Sequence, residues 1–397
     1  MRRARLQALA ILVAGATLFG CQSKPSQPDE SSTVQPGYQP ALNSDEAGLW
    51  LVMDKSEKEL KTSGSLITDA RANAYLQEVI CLLDSDICTD VRVYLVRIPH
   101  FNASMAPNGV MQVWSGLLLR AENEAQLAYI LGHEIAHYRS QHSLQMFRKT
   151  KTTANILAPF QIVTQAGGIG YAGSLAQVAA VGTLLKYSRD HEREADDGGF
   201  DMLVAAGYDP HEAAKVWEGL LKEKDALDED QPMLFFSTHP PSAERVDTLK
   251  QRAQATPEPE SGWHTGTEKY NEIVDPLRFG LWRDELRLRR FDATQLLLDR
   301  AIDAGRSVPE TKFFQAELYS TRAEDDDRAK AESAYRDCLK QADAPSEAYR
   351  ELAMIYMKSG REQQAVPLFE TYLERQPDAF DQGMVKAYIQ RINSGEK

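Results

Sequence analysis

The stretch Asn123-Glu124-Ala125-Gln126-Leu127-Ala128-Tyr129-Ile130-Leu131-Gly132-His133-Glu134-Ile135-Ala136-His137 decides how this chain is read. Asn123 with Gln126 three residues on is a capping box, so a helix opens there, and its apolar run carries it to about Gln145. At ~100° per residue, histidines four apart are offset by ~40°, and both imidazoles reach one ion. Two neutral imidazoles and a carboxylate leave a tetrahedral position for water, and Glu134 stands beside it to take a proton. His142 falls ~140° further round the same helix than His137, so it is not expected to reach that ion.

A third ligand has to come from elsewhere, and Ser188-Arg189-Asp190-His191-Glu192-Arg193-Glu194-Ala195-Asp196 supplies candidates. If this stretch is helical, Glu192 and Asp196 share a face with an offset of ~40°, whereas Glu194 sits ~200° round from Glu192 and points away. One of the pair is suited to bind metal and the other to accept the free N–H of a ligating histidine. A helix laced with salt bridges through Arg189 and Arg193 is the alternative use of the same residues.

The flanks read as a mixed, mostly helical α+β fold. Apolar positions recur at helical spacing from Asp45 to Leu83, and Val91-Arg92-Val93-Tyr94-Leu95-Val96 then alternates as a strand. Asn102-Ala103-Ser104-Met105-Ala106 and Val110-Met111-Gln112-Val113-Trp114 flank Pro107-Asn108-Gly109, which predicts a hairpin and a small sheet with an outer strand. Residues 152–185 carry no charge, but glycines and Pro159 interrupt them, favouring two packed helices over a membrane-touching hairpin. Residues 253–262, AQATPEPESG, have the composition of a linker.

After the linker the pattern is all helix and repeats. Tyr349, Leu352, Ala353, Tyr356, Ala365, Phe369 and Pro377 fall where a tetratricopeptide repeat places its large, small, aromatic and proline positions. Ala316, Tyr319, Ala331, Tyr335 and Cys338 make a poorer unit, and Thr294, Leu298 and Ala301 a degenerate one. Stacked helix pairs of this kind form a concave surface for peptide or protein, or else only pack on their neighbour.

With 397 residues, two folded domains are expected, and the composition, 43% hydrophobic and 26% charged, is ordinary for globular protein. The 45 basic and 58 acidic residues give a net charge of −13, the wrong sign for a nucleic-acid partner. Arg2, Arg3 and Arg5 precede an apolar stretch from Ala8 to Gly20, the layout of an export signal. That stretch ends Leu18-Phe19-Gly20-Cys21, which resembles a bacterial lipobox and implies lipidation of Cys21. A polar tether rich in Pro and Ser follows, and Gln22 in place of Asp favours the periplasmic face of the outer membrane. In that oxidising compartment Cys81 and Cys88 are expected to form a disulfide, with Cys338 in the core. The expected order is a signal over 1–20, a tether over 21–44, a peptidase domain over 45–252, a linker over 253–268 and a repeat domain over 269–397.

His133-Glu134-Ile135-Ala136-His137, Ser188-Arg189 with Glu192 and Ala195-Asp196, and Ser237-Thr238-His239-Pro240-Pro241 with Arg245 together resemble the HtpX-like and BepA-like zinc peptidases, relatives of the CAAX prenyl protease. Asn102-Ala103 and Pro107-Asn108-Gly109 match too, so the resemblance covers roughly residues 45 to 250. It implies a zincin-like domain holding one Zn2+ per chain through His133, His137 and Glu192, with Glu134 as general base and Asp196 supporting a ligand. His239 is implied either to cap the metal and make the enzyme latent, to polarise the substrate carbonyl, or merely to pack. The segment from Asn102 through Ala103, Ser104 and Met105 to Ala106 is implied to pair with substrate backbone by strand addition. BepA-like members combine such a domain with carboxyl-terminal repeats and act in outer-membrane assembly. This chain departs from them in its lipobox and in its fewer or more degenerate repeats.

The expected function is therefore a zinc endopeptidase of the bacterial envelope, degrading misfolded or stalled outer-membrane and periplasmic proteins, with the barrel-assembly machinery as a partner for the repeats. The alternative is an assembly chaperone with a latent metal site. A purely structural zinc protein is disfavoured by Glu134 and the free coordination position, since structural sites are normally closed by four protein ligands.

Overall fold

A computed structural model describes residues 37–151, 187–227 and 233–395. The export signal, Cys21 and the uncharged run 152–185 lie outside the described residues. Two helices open the fold, α1 (Asp45–Thr62) and α2 (Ala70–Leu83), each capped by a side chain accepting from the third residue on, Ser44 from Ala47 and Asp69 from Ala72. The continuous helical spacing from Asp45 to Leu83 thus resolves into two helices, broken where Ser63 leaves helical conformation. Cys81, near the end of α2, is disulfide-bonded to Cys88.

The sheet has the order β1-β3-β2, with β1 (Arg92–Val96) parallel to β3 (Val110–Trp114) and β2 (Ala103–Met105) antiparallel to it on the outside. The turn between β2 and β3 closes with Ala106 N–H donating to Val110 O and Gly109 N–H donating to Ala106 O. Gly109 has φ +84°, and a Cβ there would lie 2.7 Å from the carbonyl oxygen of Asp90, so glycine is required on both counts.

From β3 the chain passes through α3 (Ser115–Arg120) into α4 (Glu124–Arg139), which is buried along nearly its whole length. Asn123 accepts from Gln126 N–H as expected, but Gln126 Oε1 reaches back to the N–H of Glu122 rather than that of Asn123. α4 also stops short of the expected Gln145. Gln141 takes φ 55°, in the left-handed region, and α5 (His142–Lys151) starts afresh in a new direction.

Among the described residues four more helices follow in this half: α6 (Arg189–Ala205), α7 (His211–Asp225), the short α8 (Phe235–Thr238) and α9 (Ala243–Ala255). α6 crosses α4 at Gly132 and Gly199, where a Cβ on Gly199 would sit 2.7 Å from the backbone nitrogen of His133. That glycine contact brings the two backbones together and lets short carboxylates on α6 reach α4.

The carboxyl-terminal helices are α10 (Thr267–Leu286), α11 (Phe291–Asp303), α12 (Val308–Arg322), α13 (Asp327–Cys338), α14 (Ser346–Lys358), α15 (Glu362–Arg375) and α16 (Gln382–Ser394). Leu352, Ala353, Tyr356, Ala365 and Phe369 are buried between α14 and α15, and Cys338 is fully buried. The two ends of the stretch expected as a linker, 253–268, are held by the amino-terminal half. Ala125 N–H donates to Thr265 O and Asp209 N–H to His264 O, while Ala253 lies in the core. One apolar core accordingly runs from Ala72 to Ile392. Among the described residues no helix is long and apolar enough to cross a membrane.

The disulfide closes a short loop, with a sequence separation of 7. Replacing Cys81 and Cys88 by Ser should lower stability by about 2 kcal/mol on the chain-entropy account, read as a shift in urea midpoint that reduction of the wild type reproduces.

Candidate metal centre

His133 and His137 project from the buried face of α4, Glu192 from the first turn of α6, and His239 from the end of α8. One ligand-type atom from each of these four lies within 4.8 Å of all the others, and all four residues are buried. His133 Nε2 is 3.1 Å from His137 Nε2 and 3.3 Å from His239 Nδ1. Glu192 Oε1 is 3.5 Å from His137 Nε2 and 3.1 Å from His239 Nδ1, and its Oε2 is 3.7 Å from His133 Nε2. With metal–ligand bonds of about 2.0–2.1 Å, the edges of a donor tetrahedron are about 3.3 Å, so these spacings fit zinc.

The hydrogen-bond partners behind the ligands support the same fit. His133 Nδ1 is 3.1 Å from Asp196 Oδ1, a contact without hydrogen-bond alignment in which the ionised acceptor favours the tautomer with the proton on Nδ1 and the lone pair of Nε2 inward. His137 Nδ1 lies 2.8 Å from Nδ1 of His142, and Nε2 of His142 lies 3.2 Å from the carboxylate of Glu194. The acceptor-only Glu194 fixes the proton of His142 on Nε2; Nδ1 of His142 then accepts from His137, whose Nε2 is left bare. Burial holds the pKa of His137 well below its usual value, so that imidazole is neutral as ligation requires.

Asp196 is itself held by three hydrogen bonds from two residues. Its Oδ1 accepts from Tyr129 OH at 2.7 Å and from Arg245 Nη2 at 2.7 Å, and Oδ2 accepts from Arg245 Nε at 2.6 Å. Arg245 also places Nη1 2.6 Å from Glu192 Oε2 and lies 3.7 Å over the Trp217 ring, so one planar guanidinium bridges both carboxylates. Burial raises the pKa of both acids, but for Asp196 the hydrogen bonds of Arg245 and the contact with His133, and for Glu192 chiefly the charge of His239, bring it below the usual range.

Glu134 is 1% exposed. Its Oε1 lies 3.4 Å from His239 Nε2, and the backbone of Met105 in β2 hydrogen-bonds its carboxylate. Burial pushes the Glu134 pKa up against the pull of His239 and His133. The outer strand is thus seated beside Glu134. Ala103, Met105 and the preceding Asn102 are buried, and Ser104 and Ala106 half-buried.

Residues 67–253 match the model of peptidase family M48. This region is an M48 zinc metallopeptidase domain of the HtpX/BepA-like kind. Among similar proteins, the metalloprotease YcaL of Escherichia coli is 29% identical over 252 residues, which cover 62% of this chain and 95% of that protein. A putative beta-barrel assembly-enhancing protease of Vibrio cholerae is 27% identical over 213 residues, 51% of this chain and 44% of its own length. The mitochondrial metalloendopeptidase OMA1 of Schizosaccharomyces pombe is 29% identical over 160 residues, 40% of this chain and 45% of its own. The chain therefore spans less than half of two of these relatives and nearly all of the third.

Within the M48 domain, His133, Glu134, His137, Glu192, Asp196 and His239 come together. Sequence reasoning missed His142 and Glu194. The helix break at Gln141 returns His142 towards His137, and Glu194, pointing away from the metal cluster, meets His142 and Ser140 instead. The Gly198-Gly199 pair on α6 was the readable sign of a close helix crossing.

Proposed function

We propose that the chain is a zinc endopeptidase of the bacterial envelope that cuts unfolded or stalled outer-membrane and periplasmic proteins. The observation that carries it is the meeting of three features: three converging ligands, a buried carboxylate beside them, and the outer strand whose backbone reaches that carboxylate. Zinc bound by His133, His137 and Glu192 supplies Lewis acidity that activates water and polarises a carbonyl. Glu134 takes the proton of the attacking water on its carboxylate and returns it to the leaving amine. Residues 102–106 pair with the substrate backbone, which gives recognition of extended chain with little dependence on side chains.

His239 caps the metal in the resting protein, a reading favoured by its Nδ1 lying among the ligand atoms. On this reading the enzyme is latent until α8 moves. The helix pairs after residue 269 act as tetratricopeptide-like modules that hold clients or the barrel-assembly machinery, a partner suggested by the name of the Vibrio relative. Lipidation of Cys21 tethers the protein to the outer membrane on its periplasmic side.

The test is cleavage of a denatured outer-membrane protein by the zinc-loaded chain, wild type beside His239→Ala, each with and without chelator. A cap worth ~1.4 kcal/mol leaves roughly one molecule in ten open, so its removal should raise chelator-sensitive turnover about tenfold. A fall in turnover would make His239 an assisting residue, and no cleavage by either protein would leave the chaperone reading.

A further inference from the structure

Two ligating histidines leave α4 on the same face, yet they are supported differently. His133 rests directly on Asp196, within the Arg245 and Tyr129 network. On its Nδ1 side His137 reaches a carboxylate through a second imidazole, His142, which is fully buried and lies between His137 Nδ1 at 2.8 Å and Glu194 Oε2 at 3.2 Å. Glu194 is fixed by Ser140 Oγ, which donates to its Oε1 at 2.5 Å. Both rings are also clamped on their faces: His191 stacks on His142 at 4.3 Å, and Tyr187 stacks on His137 at 3.9 Å with its hydroxyl 2.8 Å from Ser143 Oγ.

We propose that His142 and Glu194 are positioning residues that hold the His137 ring with Nε2 directed at the ion, and that they thereby set the zinc affinity of the protein. The inference rests on His137 being a zinc ligand. Without an acceptor at His142, the N–H on Nδ1 of His137 is buried and unpaired, and the ring is free to adopt the tautomer that carries its proton on Nε2 and cannot ligate. The geometry of the left-handed Gln141 is part of the device, because a continuous helix would carry His142 away from His137.

The experiment is an equilibrium competition for zinc between the full chain and a chromophoric chelator, with melting of the metal-free proteins measured alongside. His142→Leu should weaken zinc binding about 10- to 100-fold, the usual cost of losing such a partner. His142→Asn puts an amide oxygen where the imidazole nitrogen accepted, and should recover affinity to within roughly threefold of wild type. Glu194→Ala should cost less, about three- to tenfold, because its side chain is 60% exposed and water can replace it.

Wild-type affinity in His142→Leu, or equal weakness in the Leu and Asn variants with unchanged metal-free melting, would overturn the proposal. If His142→Leu does not fold, the exposed Glu194→Ala decides, and unaltered affinity there overturns the brace. Failure of the wild type itself to bind zinc would instead remove the metal assignment on which the inference stands.

Discussion

Glu134→Gln should lower peptide hydrolysis by about 10²- to 10⁴-fold, the range expected when a positioned proton acceptor is lost, while zinc content and melting temperature stay at wild-type values. The amide is nearly isosteric with the carboxylate, and its oxygen can still accept the backbone hydrogen bond of Met105. It cannot take a proton from the attacking water. Each tenfold loss corresponds to ~1.36 kcal/mol of barrier, so the effect amounts to roughly 3–5 kcal/mol confined to the chemical step. Turnover measured together with metal content decides: unchanged hydrolysis in a zinc-loaded Gln variant would refute Glu134 as the base, and loss of zinc would show that the residue shapes the site instead.

The largest effect on stability should come from a residue far from the metal. Arg120→Leu is expected to cost about 3–5 kcal/mol, because it removes one partner of a buried ion network and strands the others. Arg120 is 5% exposed; its Nε donates to Glu223 Oε2 at 2.7 Å and its Nη2 to Glu285 Oε2 at 2.9 Å, while Arg290 donates to Glu285 Oε1 at 2.8 Å. Burial raises the pKa of Glu285, but Arg120 and Arg290 outweigh it and hold the carboxyl below its ordinary value. The stabilisation is therefore present above the unfolded carboxyl pKa of ~4.3 and is lost as pH falls through the lower folded value. Urea unfolding at neutral pH is the measurement, and a cost under ~1 kcal/mol would mean that water or rearrangement satisfies the two glutamates. Replacing the whole set by apolar residues of similar volume should recover much of the loss.

Arg120 belongs to α3, Glu223 to α7 and Glu285 to α10, so this network ties the peptidase half to the first of the carboxyl-terminal helices. Nothing in the local sequence announces it, since its members stand 103 and 165 positions apart. What was legible was local. His133 with His137 and Glu192 with Asp196 are i, i+4 pairs whose relation is fixed once the helix exists, and Asn123 declares where α4 begins. The Pro- and Glu-rich composition of 253–262 says nothing of His264 and Thr265 just beyond it, whose carbonyls accept from Asp209 and Ala125. His142 is not among the ligand group, as expected, but its contact with His137 was not legible because periodicity assumes an unbroken helix, and one left-handed residue, Gln141, voids the assumption.

The crossing of α4 and α6 at Gly132 and Gly199 has a bearing on how the ligand spacing is set. The separation of the two helix axes there is limited by backbone touching backbone, which yields far less than a layer of mobile side chains. Small zinc modules are assembled by the ion they bind. In this molecule the helix crossing is made by the packing of the fold, so the backbone, and not a layer of side chains, sets how far Glu192 stands from the two histidines.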